Sequence, residues 1–117
     1  MAFKFEKLIV WQKSVELANE VHLLASGFPR DEVYVLGTQI RRAADSISLN
    51  IAEGSTGQSN AEFSRFLKIA LRSVVEVVAC LHLGRKRSII NDQQFAQLYK
   101  RSEELLVMIN SLKKAIG

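Results

Sequence analysis

The groups able to bind, ionise or attack in this 117-residue chain are few: His22, His82, the single cysteine Cys80, the loop Gly54-Ser55-Thr56-Gly57, and a polar row of Gln39, Arg42, Ser46, Asn50 and Glu53. Metal ligation needs several His, Cys, Asp or Glu side chains converging from one face. Cys80 and His82 stand two residues apart, a spacing that turns them to different sides of a helix, and His22 is remote in sequence. All three are read as packing residues, and neither a metal nor a cofactor is expected. Helix bundles that hold two irons carry Glu-x-x-His pairs, and none occurs here. The Gly54 loop lacks the Gly-Lys-Ser/Thr ending of a phosphate-binding loop, and no Gly-x-Ser-x-Gly sets a serine on a strained turn. The inventory therefore points away from an enzyme.

The polar row repeats at three and four residues, so it forms one helix face. Ser and Asn are poor helix formers, and their presence beside Ile47 and Ile51 asks for hydrogen bonds that reward them. Two readings stay open: a polar network between helices, or a surface for a ligand or RNA on which Arg41 and Arg42 present fork-shaped donors to phosphate. Asp45, within one turn of both arginines, could neutralise either.

Charge is uneven along the chain. Residues 1–53 hold six basic and seven acidic side chains, whereas residues 54–117 hold ten basic and five acidic. The ten are Arg65, Lys68, Arg72, Arg85, Lys86, Arg87, Lys100, Arg101, Lys113 and Lys114. Clustered cations add their potentials and attract phosphate backbones or an acidic protein face, so these are the candidate nucleic-acid-binding residues.

Four amphipathic segments must position these groups. Trp11, Val15, Ala18, Val21, Leu24, Ala25 and Phe28 recur at helical spacing until Pro29, after which Asp31 is a candidate cap. Leu36, Ile40, Ala43, Ala44, Ile47 and Ile51 form a second stripe, which Gly54 can close in a left-handed conformation. Ser59-x-x-Glu62 has the spacing of a capping box for a third helix bearing Phe63, Phe66, Leu67, Ala70, Val74, Val77, Val78 and Leu81. Ile69, Leu71 and Val75 widen its apolar surface, which argues for neighbours on more than one side and for self-association. The Gly84-Arg85-Lys86-Arg87-Ser88 stretch breaks the pattern. Asn91 and Gln94 can then cap a fourth helix carrying Phe95, Leu98, Tyr99, Ser102, Leu105, Leu106, Ile109, Leu112 and Ile116. The expected fold is all-α, an antiparallel up-down-up-down four-helix bundle, as one domain over residues 1–117. Trp11 is read as a core residue rather than a stacking platform. One cysteine allows no internal disulfide, the charged start Phe3-Lys4-Phe5-Glu6-Lys7 is unlike a signal peptide, and no apolar run approaches the roughly 18 residues of a membrane span; a cytoplasmic protein without membrane contact is expected.

Phe5-x-x-Leu8-x-Val10-Trp11-Gln12-Lys13, Phe28-Pro29, Glu32-x-Tyr34 and, above all, Gln39-Ile40-Arg41-Arg42-Ala43-Ala44-x-Ser46-Ile47-x-x-Asn50-Ile51-Ala52-Glu53-Gly54 resemble the four-helix-bundle proteins encoded in intervening sequences of bacterial 23S ribosomal RNA genes. Glu62-Phe63 and Arg65-Phe66-Leu67-x-Ile69-Ala70 continue the likeness. Where that family commonly has Ala-x-Gly-Ser, this chain has Ala70-Leu71-Arg72-Ser73, so an arginine replaces a glycine that would allow close helix approach. The resemblance implies a closed ring, typically a homopentamer. It also implies kinship with the accessory subunit of diversity-generating retroelements, which binds RNA and a reverse transcriptase. The leading expectation is a non-enzymatic homo-oligomer that presents a basic surface to RNA. The alternative is a protein-interaction adaptor that recruits a polymerase or another nucleic-acid-processing partner without touching nucleic acid. A helix-turn-helix DNA reader would need a shorter connection between its helices than residues 54–59 provide.

Overall fold

In the computed structural model, which describes residues 2–57 and 59–117, four long helices enclose one apolar core: α1 (Ile9–Ser26), α3 (Leu36–Gly54), α4 (Asn60–Lys86) and α5 (Asp92–Ile116). A 3-10 turn (Lys4–Lys7) precedes α1, and a single helical turn, α2 (Arg30–Val33), links α1 to α3. Cross-helix contacts fix the directions. His22 meets Asp45 and Phe28 lies beside Gly37, so α1 and α3 run oppositely. Gln39 bonds Glu76 and Ser46 bonds Ser73, while Gly54 faces Phe63 and Phe66, so α3 and α4 do too. His82 packs on Phe95 across the α4–α5 turn, and Glu20 pairs with Arg101 to close the circuit between α1 and α5. Up-down-up-down order follows, as the short connections dictate.

The core is built from the expected stripes, with one shift of register. On α1 the inward line is Val10, Ser14, Leu17, Ala18, Val21 and Ala25, whereas Trp11, Val15 and Leu24 are only half-buried. Ser14 takes a core position because its hydroxyl donates to the Trp11 carbonyl at 2.6 Å and leaves no unmet polar group. Trp11 sits at the margin, its ring edge-on to Phe5 at 4.8 Å.

Three expected helix ends are placed differently. Gly54 does not adopt a left-handed conformation; it is the last residue of α3, and a Cβ there would lie 2.6 Å from the Phe66 Cβ and 2.9 Å from Phe63 Cδ1. The glycine serves close helix approach rather than chain reversal, and the positive φ falls on Gly57, at +90°. Gly84 likewise lies inside α4, covered by Ile90, and the helix ends only at Arg87, with Ser88 at φ +64° and Ile89 and Ile90 both donating to the Gly84 carbonyl. Asp31 lies within α2, whose N-cap is Pro29. The caps at Ser59 and Asn91 are as the spacing required. Ser59 Oγ accepts from the Glu62 amide at 3.0 Å, and Asn91 and Gln94 form both bonds of a capping box. Glu62 turns its carboxylate to Arg65 instead of back to the cap. Gln58, expected in the loop after Gly54, lies outside the described residues.

Candidate nucleic-acid interface

The polar row on α3 divides. Ser46 and Asn50 belong to a network between helices: the Ser73 hydroxyl donates to Ser46 Oγ at 2.9 Å, and Asn50 Nδ2 donates to the Ser46 hydroxyl and carbonyl oxygens at 3.0 and 2.8 Å. Gln39 donates to Glu76 of α4. Arg42 and Glu53 are exposed and take no part in this network. Arg41 is not a phosphate fork either, because its guanidinium donates to the Val33 carbonyl at 3.1 Å and so ties α2 onto α3. Asp45 pairs with neither arginine; it accepts from His22 at 3.0 Å.

That His–Asp pair is the nearest approach to a catalytic dyad among the described residues. No hydroxyl completes it: Ser48 donates to the Asp45 carbonyl and Ser26 to the Leu23 carbonyl. Contrary to the packing expectation, His22 is an exposed partner of Asp45, and His82 is exposed with its ring against Phe95 and Tyr99. Cys80 is buried as expected, and burial raises its thiol pKa, with Glu76 adding to the effect. Among the described residues no three His, Cys, Asp or Glu groups gather as a metal site.

The ten cations of α4, α5 and their connection fall into two sets. Arg65 pairs with Glu62 at 2.6 Å while its guanidinium lies over the Phe66 ring at 4.7 Å, Arg87 pairs with Glu32 at 3.2 Å, and Arg101 pairs with Glu20 at 3.0 Å. The hydrogen bond from Arg65 lowers the Glu62 pKa, and the reciprocal bond raises that of Arg65. Arg85 has an aromatic partner, its guanidinium carbon 3.6 Å from the centre of the Phe95 ring. Lys68, Arg72, Lys86, Lys100, Lys113 and Lys114 make no ion pair within the described residues, and all but the half-buried Lys113 are exposed. Arg72, at the position where a glycine was expected, points outward. The residue facing α3 is Ser73, so the arginine leaves the close α3–α4 contact intact.

Between α4 and α5 runs an apolar groove of about 340 Å³ lined by Val75, Val78, Ala79, His82, Tyr99 and Leu106 among others. It meets a second hollow, at the turn end of the helices, lined by His82, Leu83, Arg85, Lys86 and Asp92. Neither was legible in the sequence, where Tyr99 and Val78 read as core. The breadth of apolar surface on α4 is largely used within the chain, since this helix packs on α3 and on α5. Large exposed apolar side chains nonetheless remain, at Ile9, Leu23 and Leu49 on α1 and α3 and at Val75, Leu83 and Val107 on α4 and α5.

Fold and surface together define a class: an antiparallel four-helix bundle whose excess positive charge lies on its last two helices. The chain belongs to the 23S rRNA-intervening sequence protein family, which residues 6–111 match. It is also similar to a crystal structure of a protein of unknown function from the S23 ribosomal protein family of Bacteroides thetaiotaomicron. That protein is 30% identical, the match covers 91% of this chain and 99% of the other, and the TM-score is 0.82. None of the curated proteins matches the chain. No helix among the described residues is long and apolar enough to cross a membrane.

Proposed function

We propose that this protein is a non-enzymatic, self-associating bundle that holds RNA by its phosphate backbone along α4 and α5. One observation carries the reading: Lys68, Arg72, Lys86, Lys100, Lys113 and Lys114 lie on two adjacent antiparallel helices and form no ion pair among the described residues. Surface ion pairs contribute little to stability, and unpaired lysines still less, so this arrangement is better explained by an external polyanion. The 23S rRNA in the family's name, and the ribosomal protein family named for the solved relative, point the same way. Self-association is supported by the exposed Ile9, Leu23 and Leu49 of α1 and α3, and the homopentamer comes from the family resemblance. Repetition around a ring would multiply a weak patch.

Charge reversal tests the assignment. Replacing Lys68, Arg72, Lys100 and Lys114 by Glu lowers affinity for a structured RNA and flattens its salt dependence, by about 0.7 to 0.9 in the log–log slope for each phosphate that the protein ceases to neutralise. Unchanged affinity and slope would refute it. The adaptor reading is favoured by the same exposed apolar residues on α1 and α3; a partner recovered after nuclease treatment, and absent with Leu23→Ser and Leu49→Ser combined, would support it.

A further inference from the structure

We infer that the α4–α5 groove is a receptor for an unpaired RNA base, with Arg85 and Lys86 at its mouth for the adjoining phosphate. This rests on the RNA reading above and adds to it the kind of RNA that is held. Aromatic and guanidinium planes are concentrated at this one place. The Arg85 guanidinium carbon lies 3.6 Å from the Phe95 ring centre, the Phe95 and Tyr99 rings are inclined by only 29° with centres 5.6 Å apart, and His82 stands edge-on to both. Tyr99 remains 39% exposed, so part of this surface is open to an incoming ring. Every base offers a π face to such a surface, whereas a base inside a duplex does not.

The groove also contains an unmet polar group. Ser102 is 0% exposed, and its Oγ has no hydrogen-bond partner among the described residues, although it lines this mainly apolar cleft. A buried hydroxyl left without a partner is costly, and a base edge brings both donors and acceptors. Glu103 lines the same cleft and can accept from an exocyclic amine. The volume of about 340 Å³ lies at the lower end of ordinary small-ligand sites, roughly 300 to 1,000 Å³. Charge complementarity selects a nucleotide over a neutral aromatic molecule. His82 lines both hollows, and the second is also lined by Arg85, Lys86 and Asp92, so on this proposal the two cations there meet the phosphate of a base held in the first.

The test compares a fluorescein-labelled eight-residue oligo(A), an abasic strand with the same number of phosphates, and a duplex of the same length, by anisotropy at low salt. The full chain should bind oligo(A) roughly tenfold more tightly than the abasic strand, the difference being the stacking contribution. Tyr99→Leu, which preserves apolar volume and leaves every cation in place, should lower oligo(A) affinity to that of the abasic strand, whereas Arg85→Lys should weaken binding to both strands. His82→Ala, at an exposed position, should weaken the preference, with circular dichroism confirming that the variant is folded. Equal affinity for oligo(A) and abasic strands would overturn the base receptor and leave backbone binding standing; no binding to any of the three would overturn both. A preference that survives Tyr99→Leu while light scattering shows a change in mass would assign the groove to contact between copies and overturn the proposal.

Discussion

Replacing Gly54 by alanine sets two effects of opposite sign against each other. Alanine favours a helix over glycine by about 1 kcal/mol in an interior position, and less at the last helical residue. Against this stands the α4 contact: the new Cβ would fall 2.6 Å from the Phe66 Cβ, an atom fixed to the backbone that no rotamer change can withdraw, and 2.9 Å from the ring of Phe63, which is only 4% exposed. The helices must move apart locally, and overpacking of this kind costs about 1 to 3 kcal/mol. The net expectation is a loss of about 1 to 2 kcal/mol, equivalent at this chain length to a fall in Tm of about 4 to 10 °C. Urea and thermal unfolding followed by circular dichroism at 222 nm would read it. Gly84→Ala is the contrasting case, because its Cβ meets the Cδ1 end of Ile90, so Ile90→Val should relieve part of the cost, whereas no single side-chain truncation relieves Gly54→Ala. If Gly54→Ala proves as stable as the parent or more so, helix propensity has won and the close-approach explanation is wrong.

Buried and surface polar groups give four further outcomes. Cys80, buried with its thiol pKa raised, should react with a thiol reagent at pH 8 only through unfolding, at a rate that climbs with urea; rapid labelling of the folded chain would contradict its burial. The folded state favours the neutral thiol, so stability should hold below the ordinary cysteine pKa and decline as pH rises above it, and Cys80→Ala should flatten that alkaline decline. Ser73→Ala should cost about 1 kcal/mol in urea titrations, and Ser46→Ala more, because Ser46 Oγ accepts from both Ser73 and Asn50. Glu62, with its pKa depressed by Arg65, favours α4 above the ordinary carboxylate range and ceases to do so as pH falls through the depressed value; Glu62→Gln should remove that acid-side dependence, which amide exchange at the start of α4, followed against pH in variant and parent, would read.

The bundle was legible because each of the four stripes keeps helical period and each break carries a cap or a proline. What escaped was governed by partners distant in sequence. Ser14 reads as polar, yet its own helix satisfies it in the core, and this shifts the register of α1. Gly54 and Gly84 read as punctuation, yet their neighbours are Phe66 and Ile90 across a helix contact, which no local rule reveals. The pairing of the polar row with α4 was one of two open readings, and Ser73 decided it for Ser46 and Asn50 but not for Arg42 or Glu53. Within the basic set, the sequence could not separate Arg87 and Arg101, neutralised by Glu32 and Glu20 from earlier helices, from the lysines that remain unpaired. The groove at Tyr99 depends on how two helices diverge, a quantity that periodicity does not encode.

Because the helices are joined in order around the bundle, the two halves of the chain become its two sides. The α1–α3 hairpin, with six basic and seven acidic side chains over residues 1–53, is nearly neutral, while the α4–α5 hairpin carries ten basic against five acidic over residues 54–117. Charge therefore differs between the two sides of a body of 43 × 23 × 21 Å. On the RNA reading proposed above, that asymmetry turns α4 and α5 toward the polyanion before contact, within about a Debye length, roughly 10 Å at 0.1 M salt. Orientation is thereby selected during approach, and raising the salt should slow association more than it speeds dissociation.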